Sequence, residues 1–75
     1  MLKNSYLKMI TRTIPGRITL VVDIFSLSNI ILGHIQWYSP WRRYCFYPAD
    51  DSLYDARCMV EIVDKINELL VARKQ

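Results

Sequence analysis

A chain of 75 residues that is 52% hydrophobic and 23% charged is one small domain at most. It is too apolar to be disordered, and too short for its core alone to leave more than ~3–5 kcal/mol of net stability. The net charge of +3 is unevenly spread: residues 1–48 carry six cations against Asp23 alone (+5), and residues 49–75 carry four against six acids (−2). Such a chain is a poor mimic of DNA, but it suits contact with nucleic acid or with an acidic protein surface.

The N-terminal segment, MLKNSYLKMITRT, lacks a continuous apolar core and a small-residue cleavage site, so no signal peptide is read and a cytoplasmic location is expected. Residues 1–5 read as a loose terminus. Tyr6–Thr13 reads as a strand, although Leu7-Lys8-Met9-Ile10 could equally begin a short helix. Ile14-Pro15-Gly16-Arg17 places Pro second and Gly third, the arrangement of a type II turn. Arg17–Phe25 then alternates, with Ile18, Leu20, Val22 and Ile24 on one face and Thr19, Val21, Asp23 and Phe25 on the other.

Ser26–Asn29 makes the next turn. Ile31–Tyr38 follows as a strand with Ile31, Gly33, Ile35 and Trp37 inward, and a glycine inside it implies a bulge or a close neighbour. The apolar stretch Ile18–Ile35 is interrupted by Asp23, Ser26, Ser28, Asn29 and His34, which excludes a membrane span. Ser39-Pro40 turns the chain into a fourth strand, Arg42–Tyr47, ended by Pro48, which cannot donate to a ladder. Tyr44 and Phe46 are assigned inward because the alternate set, Arg43, Cys45 and Tyr47, carries the charge.

Residues 49–55 read as a linker. In residues 56–73, Met59, Ile62, Val63, Ile66, Leu69 and Leu70 form one helical stripe. Asp55 or Ser52 can cap this helix, Glu61 and Lys65 form an i,i+4 pair, and Arg73 and Lys74 suit its C-terminal dipole. The expected architecture is α+β: an antiparallel sheet of three to four strands followed by one amphipathic helix packed on one sheet face, in the order β-β-β-β-α.

Catalytic chemistry is poorly supplied. The single histidine, His34, and the two cysteines, Cys45 and Cys58, have no metal-ligand spacing, so no metal is expected. The cysteines are expected as free thiols. His34 with Cys45 could form a base and nucleophile, but cysteine is a common buried strand residue. Asp50 and Asp51 sit where acids before a helix are expected, and two glycines do not make a phosphate loop. The chain is read as a non-enzyme without a cofactor.

With one sheet face under the helix, the other should display His34, Gln36, Tyr38, Arg43 and Tyr47, with Lys8 or Arg12. Basic and aromatic residues there fit a protein interface, an ordinary sheet surface, or single-stranded nucleic acid. Tyr38, Trp41, Arg42, Arg43 and Tyr47 are the candidate partner-binding residues.

Leu32–Pro48 reads L-G-x-I-x-W-Y-x-x-W-R-x-Y-x-F-x-P and is followed, after an acidic linker, by Cys58-Met59-Val60-Glu61-Ile62. Over residues 17–72 this resembles small uncharacterised proteins of bacteriophages and mobile elements. The resemblance carries no known activity, but it implies a bacterial host cytoplasm as the setting. It also implies a non-catalytic protein that occludes a surface of a host or defence complex, as anti-CRISPR proteins do. Two other readings stand beside it. One is a small single-stranded nucleic-acid-binding module. The other is a self-assembling structural protein, a homodimer paired through its helix.

Overall fold

The computed structural model describes residues 5–73. All but Ser5 of the loose terminus expected at residues 1–5 falls outside them, as does Lys74. Four strands and one helix follow in chain order: β1 (Leu7–Thr13), β2 (Leu20–Ser26), β3 (Ile31–Tyr38), a single 3-10 turn (Ser39–Trp41), β4 (Arg43–Pro48) and α1 (Ala56–Arg73). The sheet is an antiparallel meander in the order β1-β2-β3-β4. It is followed by the C-terminal helix, as the α+β reading requires. The first segment is a strand and not a helix, because every residue of Leu7–Thr13 pairs with β2, Leu7 opposite Ser26 through Thr13 opposite Leu20.

The turns follow their residue types. Gly16 takes φ 80° and Arg17 N–H donates to Ile14 O at 3.0 Å, the closure of a type II turn. Asn29 takes φ 70°, and Ser26 Oγ accepts from Ser28 N–H and Ile30 N–H, so the side chain satisfies two donors that the tight β2–β3 turn would otherwise strand.

The core lies between one sheet face and the helix. Val22, Ile24 and Ile35 are fully buried, joined by Leu7, Leu32, Tyr44, Ile62 and Leu69, with Met9, Leu20, Trp37, Phe46, Tyr54, Cys58 and Ile66 packed at the margin. Tyr44 and Phe46 thus face inward, as assigned. Tyr44 brings its polar atom with it: its hydroxyl accepts from Leu20 N–H at 3.2 Å.

Four expectations are corrected. The second strand starts at Leu20, so Ile18 is 86% exposed in the turn region and takes no part in the core. Ile31, expected inward, is exposed, and Leu32 is buried in its place. The cause is a register shift: Ile24 pairs with Gly33 but Phe25 with Ile31, leaving Leu32 as an extra residue that reverses the alternation.

The helix is also turned relative to its sequence stripe. Ile62 and Leu69 are buried, whereas Met59 and Val63 are each more than half exposed. Lastly, Glu61 does not pair with Lys65. Its carboxylate accepts from Tyr6 N–H at 2.9 Å, tying the start of β1 to the helix, and Lys65 pairs with Glu68 at 3.4 Å.

The bulge also explains Gly33. Its φ is 147°, and a Cβ there would collide with the Tyr47 carbonyl and lie 2.8 Å from the Phe46 ring. Glycine therefore serves both the backbone conformation and the close approach of β4.

Asp55 caps α1, its Oδ1 accepting from Cys58 N–H at 3.0 Å. That backbone bond, followed by the Arg57 side chain, lowers the Asp55 carboxyl to about 2. Ser52 serves elsewhere, donating to Ala49 O at 2.7 Å and sharing a hydrogen bond with the Tyr54 hydroxyl.

Candidate functional site

The sheet face away from the helix carries cross-strand rows set by register. Ile10, Asp23, His34 and Tyr47 form one row across all four strands, and beside it Arg12 pairs with Val21 and Gln36 with Cys45. Tyr38 pairs with Arg43 at the end of the hairpin, and Lys8 lies beside Phe25. The open face therefore shows the expected set, with both Lys8 and Arg12 on it.

Much of this face is internally satisfied. Arg12 Nε reaches Asp23 at 2.7 Å, and that partnership raises the guanidinium pKa. His34 stacks on Tyr47 with ring centroids 4.9 Å apart and planes 2° from parallel, and one of its ring nitrogens is 3.2 Å from Gln36 Oε1. Val21 is buried although it lies on this side.

The end of the β3–β4 hairpin is different. Pro40 lies within the 3-10 turn Ser39–Trp41, and Arg42 follows in the left-handed region at φ 53°, its N–H donating to Ser39 O at 3.0 Å. Arg42 is therefore the pivot of the turn, and the fourth strand starts one residue later than expected. The pivot throws Trp41 outward, 69% exposed. There it packs edge-on against Tyr38, with centroids 5.2 Å apart and planes at 88°. Arg43 donates to the Arg42 carbonyl at 3.1 Å.

The five candidate residues fall into two adjoining depressions. Tyr38, Trp41 and Tyr47 line a shallow groove of about 250 Å³ together with Cys45 and Phe46. Trp41, Arg42 and Arg43 line a larger cleft of about 510 Å³ with Trp37, Leu70 and Arg73. Trp41 is the wall between them. The sequence reading drew these five from the open sheet face and the Pro40–Arg43 turn; the αL pivot at Arg42 sends part of the set around the end of the sheet.

Besides Leu70, which belongs to the helical stripe, the sequence reading missed two members of the cleft. Trp37 was assigned wholly to the core, and Arg73 to the helix dipole. The Arg73 guanidinium instead lies 4.2 Å from the centroid of the Trp37 ring. The one available signal was weak: a basic last turn on a helix that must pack back over the sheet.

Among the described residues, the ion pairs join Arg12 to Asp23, Arg57 to Asp55 and Lys65 to Glu68. None of Arg42, Arg43 and Arg73 has a carboxylate partner there. Among the same residues, no group of three His, Cys, Asp or Glu side chains could hold a metal ion, and both cysteines are free. No described helix is long and apolar enough to cross a membrane.

The chain is 31% identical over 73 residues to the "Uncharacterized 9.3 kDa protein" of Acholeplasma phage L2, covering 96% of this chain and 94% of that protein. No protein-family model matches, and no solved structure matches.

Proposed function

Because the chain belongs to the same family as the 9.3 kDa protein of Acholeplasma phage L2, we propose that it is a non-catalytic phage binding protein that occludes a surface of a host or defence protein complex. The contact surface in this reading is the groove at the open end of the β3–β4 hairpin. Tyr38, Trp41 and Tyr47 are its aromatic anchors, and Arg42 and Arg43 its charged rim. The observation that carries it is a contrast: on the open sheet face Arg12 is paired with Asp23, while the turn end of the hairpin leaves an exposed Trp beside arginines without carboxylate partners among the described residues. Trp, Tyr and Arg clustered with free edges are the composition of interface hot spots.

The non-catalytic part of the reading rests on how the reactive side chains are occupied. His34 is stacked on Tyr47 with a ring nitrogen 3.2 Å from Gln36 Oε1, and Cys45 Sγ lies 4.0 Å from the Arg43 carbonyl.

The test is affinity capture from a host-type bacterial lysate by the tagged full chain, alongside a Tyr38→Ala/Tyr47→Ala variant. A defined protein complex should be retained by the natural chain and lost by the variant, and its activity should fall when the natural chain is added. Retention of nothing above background, or equal retention by the variant, would remove the reading.

A further inference from the structure

The cleft of about 510 Å³ at the end of the sheet is lined by three guanidinium-bearing residues, two indoles and one leucine. The arginines come from three separate places: Arg42 from the turn, Arg43 from the first position of β4, and Arg73 from the last turn of α1. Among the described residues, no acid lines the cleft. The acids of the helix, Glu61, Asp64 and Glu68, surround a different depression with Lys65, beside Met9 of β1. The basic half of the chain and the basic end of the helix thus converge, and the acids are segregated from them.

Three further features point to phosphate. All three cations are arginine, whose planar fork matches phosphate oxygens in pairs, whereas lysine offers only a point charge. Arg42 holds the left-handed conformation at φ 53°, where glycine would be cheaper, so strain is tolerated at a residue that lines the cleft. The volume lies within the ~300–1,000 Å³ range of small-ligand pockets, well above what one phosphate fills.

The remaining wall indicates what accompanies the phosphate. Trp41 is 69% exposed and is fixed edge-on by Tyr38, which gives a rigid aromatic platform. Trp37 is backed by Arg73 on one side and by Tyr44 in the core, at 5.3 Å and 79°. An acidic side chain would engage the arginines but offers no flat ring to Trp41. Every nucleic-acid base has a π-face, and a strand offers phosphate and base together.

We infer that the cleft formed by Arg42, Arg43, Arg73 and Trp41 is a binding site for single-stranded nucleic acid, the arginines taking the phosphates and Trp41 stacking on a base. This goes beyond the protein-contact reading and uses Arg73, which lies outside the aromatic groove.

Both tryptophans of the chain line the cleft, so intrinsic fluorescence reports its occupancy. The full chain is titrated with a short oligothymidylate at low and at physiological salt, with anisotropy of a labelled oligonucleotide as a second readout. Quenching is expected at low salt, with affinity falling at least ~10-fold as salt is raised, because phosphate contacts release counterions. Trp41→Ala should weaken binding by roughly 5- to 150-fold through lost stacking. Arg73→Ala should weaken it on the order of 10-fold, and Arg73→Lys should restore only part, because it keeps the charge without the fork. Arg17→Ala, which removes the same charge from the exposed β1–β2 turn, should change little.

Absence of quenching at low salt would overturn the proposal. So would equal losses in Arg17→Ala and Arg73→Ala, which would mean diffuse charge alone. Tighter binding of polyglutamate with the same arginine dependence would overturn it in favour of an acidic peptide. Lysate capture by Arg73→Ala should match the natural chain, which separates failure of this site from failure of the protein-contact reading.

Discussion

The two ends of the β3–β4 hairpin are built on opposite principles. At the Gly33–Pro48 end backbone and rings are in close contact. Gly33 sits against the Tyr47 carbonyl and the Phe46 ring. The Leu32 carbonyl accepts from both Ala49 N–H and the Tyr54 hydroxyl, and Phe46 meets Tyr54 edge-on at 5.3 Å and 79°. At the Trp41 end a strained arginine turns the chain, a tryptophan stands in solvent, and three guanidiniums lack carboxylate partners among the described residues. The difference separates what holds the molecule together from what is left free to meet something else. In a domain this small, stability has to be concentrated, because little core is available.

The sharpest way to break the closed end is Gly33→Ala. The new Cβ meets backbone, which cannot swing aside, in a conformation that L-residues rarely adopt. A loss of ~3 kcal/mol or more is expected, enough to leave a domain of this size largely unfolded, as circular dichroism and urea titration would show. A native-like transition would mean that the closed end is less rigid than the contacts imply.

A milder cut at the same end is Tyr54→Phe. It removes the hydroxyl shared by Leu32 O and Ser52 but keeps the ring against Phe46 and leaves Ala49 N–H on the carbonyl. The expected cost is ~0.5–1.5 kcal/mol in the unfolding midpoint.

The open end should respond with the opposite sign. Arg42→Gly relieves the left-handed strain at φ 53°, so urea denaturation should show a gain of up to ~1 kcal/mol, partly offset by the freer unfolded chain. The same change should weaken oligonucleotide binding. A variant that is more stable yet binds less would mark the turn as strained for function, and a loss of stability would refute that.

The smallest effect concerns acid. The Asp55 carboxyl, at the helix start next to the closed end, lies at about 2 in the folded protein, against an ordinary 3.8. A depressed folded value means that its stabilisation is complete above about pH 4 and is lost as pH falls towards 2. Asp55→Asn keeps a capping acceptor without the charge. Its melting temperature should therefore fall less than that of the natural chain across this interval.

Much of this was legible in the residues. Pro15-Gly16, the Ser26–Asn29 turn, the inward Tyr44 and Phe46 and the crowded Gly33 each follow from a local rule: a dihedral preference, a two-residue alternation or the absence of a Cβ. The misreadings share a cause. Ile31 was misplaced because a single extra residue reverses the alternation, and a glycine inside a strand signals a bulge or a close neighbour without showing which side chain is displaced. Met59 and Val63 were misplaced because a wide apolar stripe permits several rotations of a helix. The rotation adopted buries Ile62 and Leu69 and takes Glu61 to Tyr6 N–H. Arg73 was missed from the candidate site because helix-dipole reasoning explains a basic last turn without asking what lies beneath it.

By itself the sequence determined an antiparallel sheet of three to four strands, a capped C-terminal helix and an aromatic, arginine-bearing hairpin, because these rest on interactions between residues near one another in the chain. Only the tertiary structure decided that Arg73 crosses over Trp37, that the Arg42 pivot divides five candidate residues between a groove and a cleft, and that the acids of the helix gather elsewhere. Those are contacts between segments distant in sequence, set by how the helix turns to fill one small core.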